Sequence, residues 1–502
     1  MKPYLDVEKN RKNYHKHPDK NTVHRSSLLV PRFQQARSCI SFLNHFFIKR
    51  KNKSVVLKIT AINSHGDVFD SLSMKIDEPR VYSFDLEYLF DDEQSINQYL
   101  VEFYSDKNLF IPFPAVMVNH VGNDFTNCVH SYNRVLNDIF EDDAVNKHQV
   151  REASIDVKMD ENHDTFFNIA TGAFKLKSNI DISLLNKNDS FKQVVPIEME
   201  RLSNKSFYLS DIMNDKPSAL GEPLQENIIL RVLQPKQSLF YGRMFGGIIN
   251  KKTLSFSANH SYYDSSSTEE YFDNNTSSRA YPYFSKSRNQ ITMYPIMSPS
   301  EINVHIEVYD GEFTYKSEEQ TIISPSHQSI SFNVDEIVAD SGLTNVVLFE
   351  VIAKSVNGNI PTRVNHQLIY GAKSSNSQLY SSINTSLMNK TMFAPSGKPG
   401  LTWGQVLVDS NYNSSLGVGF NTRSSDKENI SISFYGQTGL LKTIKRKLNP
   451  NAFLIFENDF FSSLGVEKEF VWFIVKSERA GIGAQSFHTH RESHNSSGEH
   501  SY

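Results

Sequence analysis

Histidines recur along the chain at intervals of domain size. His120, His260 and His366 each follow an asparagine, and His488 follows Phe487 at the corresponding place near the C-terminal end. Imidazole binds divalent metals and exchanges protons near neutral pH, so these positions are candidates for metal or acid–base chemistry. The metal hypothesis takes all four as ligands of one divalent metal ion.

The second Asn-His pair stands among other residues suited to ligand binding. Tyr262, Tyr263 and Asp264 follow it, and Arg243 lies upstream in the glycine-rich stretch FYGRMFGG (240–247). Tyrosine beside Asn, Asp and Arg suits glycan contact, and the amides of a glycine-rich segment suit an anion. The predicted ligand-binding residues are His120, Arg243, His260, Tyr262, Tyr263, Asp264 and His366. Another interpretation needs no ligand: each Asn-His pair closes its domain, with the imidazole bonded to a backbone carbonyl.

The elements that would position these residues are themselves repeated. A core of the form Ser-Phe-x-(Leu/Val)-x-x-(Leu/Ile) begins at Ser83, Ser206 and Ser331, and a looser copy begins at Leu454. The steps are 206−83=123, 331−206=125 and 454−331=123 residues. Such regular self-similarity indicates a chain built from related domains.

The local pattern around each copy predicts the fold class. An alternating run precedes each copy, as in INVHIEVYD (302–310), where every second residue is apolar. Polar turns and a strongly apolar stretch such as VVLFEVIA (346–353) complete each repeat. Short alternating strands at this density indicate an all-β protein of about four tandem antiparallel β-sandwich repeats, joined by long Ser/Asn-rich connections. Within each motif copy, the strand is predicted to run into one helical turn.

The predicted boundaries follow composition. They are a basic N-terminal tail and lead-in (1–38), repeats at 39–132, 164–263, 288–371 and 403–488, a helical linker (133–163), linkers at 264–287 and 372–402, and a disordered tail (489–502). The motif phenylalanines are predicted to anchor the four cores; they are Phe84, Phe207, Phe332 and Phe456.

Composition restricts the classes of partner and compartment. The formal net charge of −4 argues against a nucleic-acid-binding surface, and no apolar run has the length needed for membrane insertion. The N-terminal stretch shows no apolar secretory segment, and Cys39 and Cys128 are the only cysteines. Two thiols in four domains fit a reducing compartment, so the expected location is the cytoplasm.

No strong catalytic motif appears: the chain lacks a P-loop, a G-x-S-x-G and an H-E-x-x-H. The sequence therefore favours a non-catalytic binding or assembly protein whose tandem sandwiches present loops to a glycan or a partner protein. The alternative is a metal-dependent or acid–base enzyme with a His/carboxylate site between repeats. The two hypotheses differ in geometry, because histidines from separate repeats can meet only if the domains pack around a common axis or in face-to-face pairs.

Overall fold

The structure is a computed structural model. It describes residues 24–90, 96–105, 115–130, 132–136, 142, 152–185, 190–213, 228–260, 271–294, 301–318, 320–322, 330–362, 364–373, 379–388, 399–423, 427–449 and 451–502. Among these residues, no helix has both the length and the apolar character needed to cross a membrane.

Four units share one strand plan, which confirms the predicted fold class of tandem antiparallel β-sandwiches. In each unit the first, sixth, third and fourth strands form an outer sheet. The fifth, second, seventh and eighth strands form an inner sheet that packs against it. The units are unit 1 (24–130), unit 2 (152–260), unit 3 (276–386) and unit 4 (400–500).

The strand bounds of units 1 and 2 are as follows. Unit 1 contains β1 (His24–Pro31), β2 (Arg37–Leu43), β3 (Val55–Asn63), β4 (Val68–Ile76), β5 (Val81–Asp85), β6 (Ile96–Ser105), β7 (Met117–Val121) and β8 (Thr126–His130). The short β9 (Asn133–Val135) follows. Unit 2 contains β10 (Glu152–Asp156), β11 (His163–Ala170), β12 (Leu176–Leu185), β13 (Ser190–Met199), β14 (Asn204–Tyr208), β15 (Ile229–Leu233), β16 (Phe240–Gly242), β17 (Phe245–Asn250) and β18 (Phe256–His260). Strands β9 and β16 extend the outer sheet of unit 1.

Units 3 and 4 repeat the plan. Unit 3 contains β19 (Thr276–Pro282), β20 (Ser287–Met293), β21 (Ile302–Tyr309), β22 (Thr314–Lys316), β23 (Gln320–Ile322), β24 (Ile330–Asn333), β25 (Leu348–Ser355), β26 (Asn365–Ala372) and β27 (Ser381–Ser386). Unit 4 contains β28 (Gly400–Val408), β29 (Tyr412–Phe420), β30 (Glu428–Gly436), β31 (Gly439–Leu448), β32 (Phe453–Phe456), β33 (Glu469–Ser477), β34 (Ile482–His490) and β35 (Ser496–His500). Strands β22 and β23 both pair with β21, at the place of the fourth strand.

Sequence alternation explains the third strands directly. Along β21 the residues INVHIEVY alternate between buried and partly exposed, with the isoleucines and valines inside. One face of the strand therefore packs in the core and the other faces outward. The tight turn that follows uses Gly311 at a φ of 103°, a backbone conformation that glycine adopts without a steric penalty.

The Ser-Phe motif is the fifth strand of every unit, β5, β14, β24 and β32. The predicted helical turn follows it in each case: a 3₁₀ turn (Glu87–Leu89), α2 (Leu209–Met213), α3 (Val334–Ser341) and α4 (Asn458–Ser462). One further helix, α1 (His45–Arg50), lies in unit 1. Phe207 and Phe332 are buried, whereas Phe84 and Phe456 are half-buried on the edge strand of their inner sheet.

Strand register makes the four units comparable residue by residue. In each unit the motif phenylalanine pairs with the second strand, which pairs with the seventh, which pairs with the eighth. The rows are Phe84, Ile40, Val118 and Val129; Phe207, Phe167, Gly246 and Asn259; Phe332, Ile291, Leu368 and Ile383; and Phe456, Leu416, Ser486 and Glu499. One residue further along the eighth strand, the equivalent positions hold His130, His260, Asn384 and His500.

The eighth strands meet at a common axis. We call β8, β18, β27 and β35 the axial strands. Strand β8 contacts β18 and β35, and β27 contacts the same two strands, which closes a ring of four. Hydrogen bonds join neighbours around the ring: Cys128 N donates to Ser497 Oγ at 3.0 Å, and Asn384 Nδ2 donates to the carbonyl oxygen of His260 at 2.6 Å. The four units are thus arranged around one centre.

Apolar cores continue across the unit boundaries. One core includes side chains of units 1, 2 and 4, and another joins unit 3 to Phe487 of unit 4. Trp472 is fully buried in the first core and donates its Nε1–H to Ser41 Oγ of unit 1 at 2.7 Å. Because burial of apolar area is the main stabilising term in folding, these shared cores bind the units to one another.

Several predicted boundaries need correction. The segment 489–502, predicted to be a disordered tail, contains the end of β34 and all of β35, whose residues are mostly buried. The linkers at 264–287 and 372–402 contain β19, β27 and the start of β28, and the lead-in 1–38 contains β1. The predicted helical linker contains β9 and β10, and residues 137–141 and 143–151 lie outside the described residues. The polar sequences of β27 (SSINTS) and β35 (SSGEH) do not indicate strands, because neighbouring units supply the surfaces that cover them.

Candidate functional site

The structure places His120, the first histidine of the metal hypothesis, inside an aromatic cage. Its ring lies 4.8 Å from the ring of Phe33 and within 5.8 Å of the rings of Phe245 and Phe256, measured between centroids. Burial lowers the pKa of His120 to about 3. This side chain fills the junction between units 1 and 2 as a neutral ring.

His366 and His488 each bond to a partner of their own. His366 Nε2 accepts from the Tyr281 hydroxyl at 2.6 Å, and His488 Nε2 donates to the carbonyl oxygen of Thr126 at 2.6 Å. Burial lowers the pKa of His366 to about 3 and that of His488 to about 4. The structure therefore does not bring His120, His366 and His488 together. The bond from His488 joins unit 4 to a carbonyl of unit 1, so it does not close its own domain. His366 Nδ1 lies 3.3 Å from the carbonyl oxygen of Val364 in the same unit, which fits the interpretation in which the imidazole closes its domain.

The recurring Asn-His pairs do not occupy one structural position. His120 and His488 are equivalent on the seventh strand, where unit 3 has Tyr370 and unit 2 has Ile248. His366 lies four residues before Tyr370 on the same strand, and His260 lies on an axial strand. The Asn-His dipeptides therefore occupy different positions of the shared strand plan.

A different set of residues does converge, at the common axis. His130, His260, His500 and Glu499 present one ligand atom each, and these four atoms all lie within 4.8 Å of one another. We call this set the axial cluster. His130 comes from unit 1, His260 from unit 2, and the other two from unit 4. Of the histidines in the metal hypothesis, only His260 belongs to it.

Contacts within the axial cluster are close. His130 Nδ1 lies 3.2 Å from Glu499 Oε2 and 3.2 Å from His260 Nε2. The backbone N–H of His500 donates to Glu499 Oε1 at 2.9 Å, which holds the carboxylate on the axis. Burial, with the neighbouring His500 and Arg243, keeps the pKa of His130 well below its ordinary value. Glu499 and His260 are almost completely buried.

Arg243, predicted from the glycine-rich stretch, borders the axial cluster. Its Nη1 lies 3.2 Å from His130 Nε2 and 3.5 Å from His260 Nδ1. The guanidinium also lies over the Tyr241 ring, 5.7 Å from the centroid, and the residue is partly exposed. Two of the predicted ligand-binding residues, Arg243 and His260, are thus brought together.

Three buried polar atoms on the axial strands lack hydrogen-bond partners within the described residues. They are Asn127 Nδ2, Asn384 Oδ1 and His500 Nε2. Glu499 Oε1 is the carboxylate oxygen nearest to His500 Nε2, but at 3.7 Å it is too far to bond. Asn384 occupies, on the fourth axial strand, the position equivalent to the three histidines. An unpartnered buried polar atom costs free energy, and a bound ion is one way to satisfy it.

Sequence reasoning missed His130, Glu499 and His500. A signal was present, because three axial strands end in histidine, in TNCVH (126–130), FSANH (256–260) and SSGEH (496–500). These strands carry little apolar alternation, so no strand was expected at the C-terminal end of the chain.

A second feature is a cleft of about 320 Å³ between units 2 and 3, which we call the 2–3 cleft. Polar residues from both units line it, together with apolar ones such as Ile155 and Ile369. The polar lining residues used below are Asp156, Lys158, Arg288, Gln290, Gln367 and Tyr380. Gln367 Oε1 is buried and has no hydrogen-bond partner in the described part of the chain.

Positive charge dominates the 2–3 cleft. The Arg288 guanidinium donates to Gln290 Oε1 at 2.5 Å and lies 4.3 Å over the Tyr380 ring, which fixes its position. Desolvation, together with Arg288, lowers the pKa of Lys158, although Asp160 acts in the opposite direction. Asp156 is partly exposed, but the surrounding protein desolvates its carboxyl group and raises its pKa to about 7.

Tyr262, Tyr263 and Asp264 lie outside the described residues. The prediction that they bind a ligand stays a prediction, as does the same prediction for His120 and His366.

Comparison with known proteins gives no family. No protein-family model matches the chain, and no curated protein matches it. Similarity to solved structures is weak: a Bacteroides uniformis β-glucuronidase matches at a TM-score of 0.15 and 11% identity, over 45% of this chain and 26% of that one. The chicken CNTN1 FN1–FN3 domains match at a TM-score of 0.10 and 12% identity, over 69% of this chain and 95% of that one. A tetra-tandem repeat of a large adhesion protein matches at a TM-score of 0.11 and 8% identity, over 89% of this chain and 91% of that one. The chain thus spans about a quarter of the β-glucuronidase, and TM-scores this low support no inference about function.

Proposed function

We propose that the protein is a non-catalytic binding protein and that the 2–3 cleft takes a saccharide bearing an acidic group. The observation that supports the proposal is the lining of the cleft. Arg288 and Lys158 supply two cations, and Gln367 offers a buried oxygen without a partner. A cleft of about 320 Å³ lies at the lower end of the size range of small-molecule sites.

The chemistry of each side chain suits this ligand. A sugar hydroxyl donates a hydrogen bond, and Gln367 Oε1 is available to accept it. A guanidinium held against an aromatic ring presents its remaining N–H groups in a fixed geometry, which suits a carboxylate. With a pKa of about 7, Asp156 at neutral pH exchanges between a donor and an acceptor of hydrogen bonds.

Binding rather than hydrolysis fits the acid groups of the cleft. Glycoside hydrolysis ordinarily uses two carboxyl groups on either side of the scissile bond. Among the described residues that line the 2–3 cleft, Asp156 is the only one with a carboxyl group. The cleft thus has groups that recognise a ligand but lacks the usual catalytic pair.

Isothermal titration of the full chain tests the proposal. The probes are uronic-acid-containing oligosaccharides and their neutral counterparts of the same length. We expect the acidic series to bind, Arg288→Met to weaken it at least tenfold, and Gln367→Ala to weaken both series. Lys177→Met is the control, because Lys177 lies exposed on β12 outside the cleft. Failure of every oligosaccharide to bind, or unchanged binding by Arg288→Met, would contradict the proposal.

The cysteines support a cytoplasmic location as part of this proposal. Cys39 and Cys128 are both unpaired and buried, and burial raises the pKa of Cys128 to about 12. Such thiols react slowly and need no oxidising compartment. Cell fractionation with a tagged chain is the direct measurement, and recovery outside the cytoplasm would count against this part.

A further inference from the structure

We infer that the axial cluster binds one divalent metal ion of the zinc class through His130, His260, His500 and Glu499. The proposed site is separate from the 2–3 cleft, and it is independent of the saccharide proposal. Three imidazoles and one carboxylate make a ligand set that zinc accepts with tetrahedral geometry.

The distances suit such an ion. Ligand atoms ~2.0–2.1 Å from a tetrahedral metal are about 3.3–3.4 Å from one another. Two of the ligand pairs, His130 Nδ1 with Glu499 Oε2 and His130 Nδ1 with His260 Nε2, are already at 3.2 Å. The four ligand atoms lie within 4.8 Å of one another. Side-chain rotations would therefore close the site without moving the axial strands.

The unpartnered atoms are an independent observation at the same place. His500 Nε2 is one of the two ligand atoms that the site would take from β35, and it is buried without a hydrogen bond. A metal would satisfy it. Asn384, which holds the equivalent position on β27, donates to the His260 carbonyl and so fixes the strand beside the ligand.

The position of the site suggests what the metal would do. Its ligands come from units 1, 2 and 4, and they are separated by 260−130=130 and 500−260=240 residues. A metal there would link three units at their common axis. Because the unfolded chain does not keep these ligands together, binding free energy would add to the stability of the assembled units.

Arg243 is the competitor of the metal. A histidine that binds metal through Nδ1 carries its proton on Nε2, and His130 Nε2 now lies 3.2 Å from the donor Nη1 of Arg243. The two N–H groups would face each other, so Arg243 must turn away when metal binds. Its partial exposure leaves that movement open. Replacing Arg243 should therefore strengthen metal binding.

The experiment is reconstitution of the full chain with zinc alone. Protein is stripped with chelator, loaded with zinc chloride, desalted and measured by elemental analysis and competition with a chromophoric chelator. We expect about one zinc per chain for a single four-ligand site, with a higher Tm in the loaded form. His130→Gln combined with His500→Gln should lose the bound ion, and Arg243→Met should bind at least about threefold more tightly than the native chain, since it removes the competing donor.

The control is His494→Asn, which removes a histidine of the C-terminal turn outside the axial cluster. His494 has a φ of 60°, a conformation that asparagine tolerates, so its replacement should leave both fold and stoichiometry unchanged. If the double variant does not fold, X-ray absorption of the zinc-loaded native chain still decides, because three imidazoles give a distinctive scattering pattern. Two results would overturn the inference. One is a zinc content below about one per five chains, since the site should fill completely. The other is a zinc ion that stays bound in a folded double variant.

Discussion

Acidification should destabilise this protein through its buried neutral histidines, and His488 gives the sharpest test. It lies in unit 4, which also holds both tryptophans of the chain, Trp403 and Trp472. Burial lowers the folded-state pKa of His488 to about 4, against about 6.5 in an unfolded chain. Below pH 6.5 the unfolded chain takes up a proton that the folded chain does not. The free energy of unfolding must then fall as the pH falls, until the pH reaches the folded-state pKa.

The magnitude follows from the two pKa values. At pH 5 the unfolded imidazole is almost fully protonated and the folded one is about one-tenth protonated, which costs about 2 kcal/mol. His120 and His366 act in the same direction, with folded-state pKa values of about 3 each. Asp156 acts in the opposite direction, because its pKa is raised to about 7 and its protonation on acidification favours the folded state. A single substitution therefore isolates the pH-dependent contribution of one histidine, which the overall pH dependence of the native chain does not.

The assay compares His488→Gln with the native chain by urea unfolding, monitored by tryptophan fluorescence at pH 7.5 and pH 5. The glutamine amide retains a donor for the Thr126 carbonyl but takes up no proton. We expect the variant to be less stable at pH 7.5 and the difference to shrink by about 2 kcal/mol at pH 5. His65→Gln, in the exposed turn after β3, is the control and should show no such change. A gap that stays constant to within ~0.5 kcal/mol would refute the linkage argument.

Three further predictions concern stability. Phe332→Ala empties a core position of unit 3 and should cost ~3–5 kcal/mol by urea unfolding; a loss below ~1 kcal/mol would contradict its role as an anchor. Arg423→Met removes the partner that lies 2.6 Å from the fully buried Glu350, and should cost about 3 kcal/mol. Adding Glu350→Gln to Arg423→Met should recover part of that loss, because it removes the unpaired buried charge. Equal stability of the single and double variants would contradict this prediction. Asn119→Ala breaks the reciprocal amide pair with Gln405 between units 1 and 4 and should cost ~1–3 kcal/mol. The urea unfolding midpoint should fall accordingly. An unchanged midpoint would contradict the prediction and mean that water replaces the lost partner.

The repeating strand plan follows from local sequence alone. The alternation in β21 is a local property, since one face of the strand must be apolar for a sandwich to form. The Ser-Phe motif likewise marked the fifth strand and its helical turn in all four units. Its four phenylalanines are predicted to anchor the cores, but Phe84 and Phe456 are half-buried, because side-chain burial depends on the elements packed over an edge strand.

Which histidines meet depends on the packing of the four units against one another. His120 and His366 looked equivalent in sequence, yet register places them at different positions of the seventh strand, and a shift of register is invisible in a short motif. His500 looked like part of a polar tail, because SSGEH has no apolar alternation. It is held at the axis because β35 pairs with β34 of its own unit, while strands of the three other units pack around it and cover it from water. Local sequence specifies a strand and its faces, whereas the meeting of four eighth strands depends on contacts between residues hundreds of positions apart.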